Sequence, residues 1–178
     1  MLTTLYARHE EARARRWRRN QSRSTNMLRS WHHRAPTLRL IAAFYGCQAV
    51  ALISVVIGPW WPPALPACFI AMGLSLVPWT LLRLTIDTKD DAPESVLDEY
   101  EQQVVASWSR LAMRLLGYWA SLVSILLIFS AVFDFPSHLG LSPTEWNIIL
   151  GEIVLIVSFF CASLPTVGYA LTFNTDKE

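Results

Sequence analysis

Glu152 is the only acidic residue inside any of the long apolar stretches of this 178-residue chain. An ionisable group in such surroundings is costly to keep charged, so its position marks it as a candidate for proton or cation chemistry. It shares a helical face with Phe159, Ser163 and Thr166, above Pro165. The plainer reading is structural: the carboxyl lies shallow, accepts a hydrogen bond and orients its helix. Gln48, near the middle of another apolar run, is the second candidate polar site. It reads as a hydrogen-bonding contact to a neighbouring helix, worth about 0.6 to 2 kcal/mol in such bundles.

Other chemistry is sparse. Cys47, Cys68 and Cys161 are far apart in sequence and read as small apolar packing residues. His9, His32 and His33 stand in the N-terminal segment, and Asp134 with His138 supplies only two ligands, too few for a metal site. The chain contains no phosphate-cradling glycine loop, no His-Glu-x-x-His, no Gly-x-Ser-x-Gly and no paired cysteine motif. The reading is therefore of a non-enzyme with no cofactor and no metal.

The elements that must hold Glu152 and Gln48 are plain from hydropathy. Hydrophobic residues make up 53% of the chain and concentrate in four runs, at 38–57, 64–82, 111–133 and 148–171. Each is about 20 residues long, enough at about 1.5 Å of rise per residue to cross a hydrocarbon core of about 30 Å. The runs are continuous rather than alternating, which favours helices over barrel strands. The predicted fold is all-α and polytopic: a basic arm over 1–37, then a four-helix transmembrane domain over 38–178 with a connector over 83–110. Gly117, Ser121 and Ser124 make a small-residue stripe suited to helix packing, while Pro78 and Pro165 are expected to kink their spans. An uncleaved first span is the better reading of the N-terminal third, because four prolines separate its apolar run from Cys68.

The chain has fifteen lysines and arginines, and alternate threading of the spans puts all of them on one face. The loops at 58–63 and 134–147 carry none. By the positive-inside rule that face is cytoplasmic, with both termini inside, as for a multi-pass protein of the bacterial cytoplasmic (inner) membrane. Arg13, Arg15, Arg16, Arg18 and Arg19 form the densest part of the arm, and are candidates for contact with anionic lipid headgroups, at about 1 kcal/mol per basic residue near the surface. Nucleic acid is the weaker alternative, since nothing here resembles a DNA-reading fold. Met27 is a second possible start, which would remove most of this arm.

The connector is acidic at its beginning, with Asp87, Asp90, Asp91, Glu94, Asp98, Glu99 and Glu101, and the basic arm has the charge to dock there. Asp91 and Glu94 flank Pro93 in a plausible helix start. From there Leu97, Tyr100, Val104 and Trp108 recur at helical spacing and continue into the third span. The expected element is one long helix, amphipathic and cytoplasmic before it enters the membrane. Those four residues are candidates for binding a partner.

Pro93, the run Leu97-Asp98-Glu99, and Arg110 and Arg114 at the mouth of a span resemble the amphipathic segment of small four-span membrane proteins of actinobacteria. Tyr100 stands where those proteins usually have arginine. The resemblance covers some twenty residues and implies topology without a mechanism. Two functions are carried forward. The first is a non-enzymatic membrane protein that acts by interaction, as an accessory subunit, regulator or exclusion factor, with a membrane-protein partner or a second copy. The alternative is a small oligomeric transporter or channel using Glu152.

Overall fold

The computed structural model describes residues 34–61, 63–93 and 96–174. The candidate headgroup contacts Arg13, Arg15, Arg16, Arg18 and Arg19, together with Met27 and Glu94, lie outside the described residues. Among those described the fold is all-α. It comprises α1 (Arg34–Ile57), α2 (Ala64–Thr85), a single 3-10 turn at Lys89–Asp91, α3 (Glu99–Phe133), the one-turn α4 (Phe135–His138) and α5 (Pro143–Phe173). The four long helices are each long and apolar enough to cross a membrane.

The helix ends explain why the elements exceed the apolar runs. Asp98 caps α3, accepting the Glu101 amide at 2.7 Å, while the Glu101 carboxylate accepts the Asp98 amide at 3.3 Å. This reciprocal box ties down two otherwise orphaned donors and sets acids at the positive end of the helix dipole. Ser142 and Glu145 form the same box at the start of α5, with Pro143 as its first residue. The start of the long helix is thus at Glu99 rather than at Asp91. Asp91 closes the separate 3-10 turn, and Thr88 before it is left-handed at φ 53°. A reversal of that kind interrupts a helix, and the pair with the correct three-residue spacing nearest the apolar run takes over as its start.

The long helices alternate in direction. One end of the bundle holds the start of α1, the connector between α2 and α3, and the end of α5; this is called the connector end. The other holds the α1–α2 and α3–α5 turns. In the first of these turns Gly58 admits Leu65, whose Cδ2 would lie 2.6 Å from a β-carbon on residue 58.

Helices α1 and α2 form a tight hairpin, and α5 packs against α1, α2 and α3. The buried core has two parts. Toward the connector end Leu40, Leu82, Ile86, Val167, Tyr169 and Ala170 cluster, with Val105 of α3 against them. Toward the turn end Ala51, Val55, Cys68, Ala71 and Ile156 form the second part. A layer of aromatic rings lies between them: Phe159 meets Phe44 at 5.6 Å and Trp79 at 5.5 Å between centroids. By contrast α3 is almost bare along its apolar length, with Met113, Tyr118, Ile125, Ile128 and Val132 exposed.

Candidate functional site

The connector end gathers a cluster of polar side chains from three separate parts of the chain. Tyr169 on α5 donates its hydroxyl to Glu101 Oε1 at 2.5 Å, and Lys89 Nζ donates to the same oxygen at 2.5 Å. The Lys89 ammonium also lies 5.9 Å from the centre of the Tyr169 ring. Beside this, Asp90 Oδ2 receives the Thr166 hydroxyl at 2.6 Å and faces Arg83 Nε at 3.0 Å. The Arg83 guanidinium in turn sits over the Trp79 ring at 5.2 Å. Asn174 reaches α1, donating from Nδ2 to Thr37 Oγ1 at 3.2 Å.

Position in the fold explains each partner. The capping box places Glu101 one turn into α3, pointing at the last turns of α5. The 3-10 turn presents Lys89 and Asp90 to the same region. Charge-assisted hydrogen bonds of this type are about twice as strong as neutral ones. Glu101 lies ahead of the apolar part of α3. Its burial alone would raise its pKa, but the Lys89 and Tyr169 hydrogen bonds, the Lys89 charge and the Asp98 amide outweigh that and hold it below the usual carboxylate value. The cluster borders a hollow of about 230 Å³ lined by Thr85, Asp87, Lys89, Glu101, Tyr169 and Asn174.

Among the described connector acids, Asp90 and Glu101 are therefore engaged with α5 and Asp98 with the start of α3. The sequence reading treated them as part of a charge run facing the basic arm. It gave Thr166 only as part of the Glu152 face, whereas its hydroxyl bonds Asp90, and it missed Arg83, Tyr169 and Asn174, which acquire a role only by tertiary contact.

The connector stripe divides. Leu97 is buried, and Trp108 lies so close to Gly168 that a β-carbon there would meet the indole at 2.3 Å. Val104 is half-buried. Tyr100 remains 59% exposed, with an edge contact to Phe173 at 5.5 Å between centroids. Part of the stripe is thus covered by α5, and Tyr100 is the member that faces outward. Farther along, α3 and α5 frame an apolar groove of about 280 Å³, lined by Leu115, Tyr118, Trp119, Leu122, Val157 and Phe160 among others.

The second polar feature lies within the bundle. Glu152 is 4% exposed and Gln48 5%, and none of their four side-chain oxygen and nitrogen atoms has a hydrogen-bond partner. Other hydroxyls at depth do find acceptors: Ser54, Ser75 and Ser163 each donate to a carbonyl of their own helix. Among the described residues no group of three or more histidines, cysteines or acids is placed to hold a metal ion.

Comparison with known proteins returns no matching family model, no matching curated protein and no matching solved structure.

Proposed function

We propose that this protein is a non-enzymatic integral membrane protein of the bacterial inner membrane, with both termini cytoplasmic, that works by lateral interaction. It acts as an accessory subunit, regulator or exclusion factor for another membrane protein or for a second copy of itself. The observation that carries this reading is the exposure of α3. Its connector-end half is fastened to α5 through Glu101 and Trp108, while its apolar length offers a broad face and a groove that no other helix among the described residues fills. Association between helices in lipid depends on such close-fitting faces, because lipid tails are as apolar as the side chains they would leave. The basic arm adds affinity for anionic headgroups on the cytoplasmic side, and the resemblance of the connector to small actinobacterial four-span proteins agrees with this topology.

The test is mild-detergent affinity purification with mass spectrometry, combined with photocrosslinking from Tyr100, Tyr118 and Leu122. One discrete crosslinked species, lost when Tyr118 and Leu122 are changed to alanine, is the expected outcome. Crosslinks to lipid alone from all three positions would remove the reading. Trp108 is unsuited to this test because it supports the protein's own fold at Gly168.

The second reading, a small oligomeric transporter or channel coupled through Glu152, is favoured by the burial of that carboxyl without a partner. Loss of pH-dependent flux in Glu152→Gln vesicles is its expected signature; equal flux in both proteins counts against it.

A further inference from the structure

Of the two acids that line the connector-end hollow, one is left without a donor. Lys89 and the Tyr169 hydroxyl both donate to Glu101, and Arg83 faces the neighbouring Asp90 at 3.0 Å. Asp87 lines the same hollow as Lys89, Glu101 and Tyr169, yet its Oδ1 is shut off from solvent with no hydrogen-bond partner among the described residues. An acceptor held away from water in this way is costly. The turn does not account for the charge. Residue 87 has φ 52°, a left-handed conformation that Asp and Asn adopt more readily than most side chains, so Asn would serve the backbone equally well.

The hollow has the size and lining for a guanidinium. Its volume is about 230 Å³, against about 30 Å³ for one water in the liquid. Beside Asp87 stand the Phe173 ring and Asn174; the Asn174 Nδ2 is bonded to Thr37, which leaves its carbonyl oxygen to accept. Planar donors that can meet a carboxylate, an amide oxygen and a ring face belong to arginine rather than lysine. A phosphate is disfavoured, because Lys89 is bound to Glu101 and Asp87 leaves the lining with a surplus of negative charge. The chain carries a suitable cation close by. Asn174 joins the hollow to Thr37, three residues along α1 from Arg34 and thus only about 5 Å of rise from the point where residues 1–33 meet the bundle. Arg29 precedes Arg34 by five residues, which span up to about 17 Å when extended.

We propose that the connector-end hollow is a guanidinium-binding site, occupied by Arg29 of the chain's own N-terminal arm through Asp87 and Asn174. The seat is one carboxylate in a formed hollow and not the acidic run as a whole. Seated there, Arg29 joins the start of α1 to the connector and to the end of α5, and the denser run from Arg13 to Arg19 is left to the headgroups. The site is independent of the lateral-interaction reading, whose surface at Tyr118 and Leu122 lies farther along α3.

The experiment is tryptic cleavage of the full-length native chain in phosphatidylcholine nanodiscs, which carry no net headgroup charge, with the fragments measured by mass spectrometry. An arginine whose guanidinium is held in the hollow cannot enter the protease's specificity pocket, so cleavage after Arg29 is expected to be at least tenfold slower than after Arg13. Asp87→Asn, which suits the left-handed turn, should remove that protection. Glu99→Gln, at an exposed acid outside the hollow, should leave it intact. Methylguanidine supplies a second readout: it should raise the unfolding temperature of the Arg29→Gln protein, whose hollow is vacated, and leave that of wild type unchanged. Arg29 cleaved as fast as Arg13 in wild type, protection that survives Asp87→Asn, or equal loss of protection in Glu99→Gln overturns the proposal. So does a methylguanidine response that is absent from Arg29→Gln, or one that is equal in wild type, since the hollow then takes no guanidinium or takes a free solute in place of the arm.

Discussion

The two polar groupings of this molecule are built from similar residues and differ in what surrounds them. At the connector end Glu101 receives a lysine, a tyrosine and the capping contact of its own helix. Inside the bundle Glu152 is as deeply buried and receives nothing. The first arrangement is what fastening three chain segments requires, since a buried acid contributes to stability only when its lone pairs are taken up. The second is unfavourable for stability as it stands, which is why it draws a functional explanation.

The contrast can be broken most forcefully at the contact beside the first grouping. Gly168→Leu drives a side chain into the space of the Trp108 indole, and should cost about 3 kcal/mol by overpacking, seen as a lowered unfolding temperature in mild detergent. Next is Glu101→Ala, expected to cost about 2 to 3 kcal/mol because it leaves Lys89 and the Tyr169 hydroxyl unpaired. Tyr169→Phe should cost about half as much, and the two changes should be strongly non-additive in a double-mutant cycle. Additive effects would mean that the short contacts do not act as one unit.

Acid titration is a gentler probe of the same cluster. The Glu101 pKa is lowered in the folded protein, so its stabilising effect is fully present above the ordinary carboxylate value and is lost as the pH falls through the lowered one. Unfolding temperature should drop on acidification, and Glu101→Gln should flatten that dependence. The smallest effect belongs to the interior pair. Glu152→Leu and Gln48→Leu should change stability by no more than about 1 kcal/mol and can raise it, since each removes polar atoms that have no partner. A loss equal to that of Glu101→Ala would place Glu152 among the fastening residues and erase the distinction.

The four long apolar helices were legible in the sequence because their signal is local: continuous apolar runs of sufficient length. Their true ends were not, since Asp98 with Glu101 and Ser142 with Glu145 extend α3 and α5 beyond the apolar residues, and Asp91 with Glu94 offered a competing start. Gln48 and Glu152 stood out as polar residues in apolar runs, but that both are buried without a partner depends on how the helices pack around them. The connector-end cluster was hidden more completely. Thr166 and Asp90 are 76 positions apart and Tyr169 and Glu101 are 68, so neither pairing leaves any spacing pattern to read. Trp108 was visible as part of a stripe, whereas its partner Gly168 carries no side chain that could signal a contact.

The sharing of α5 among all three other long helices also has a consequence for the order of assembly. Helices α1 and α2 are neighbours in sequence and can close on each other soon after synthesis, across a turn of a few residues. Among the described helices α3 has no comparable companion until α5, made after it, arrives to fill the place beside it. Until then a 35-residue apolar helix waits with the sides that α5 will cover unclaimed, and whatever it meets first in that interval competes with α5.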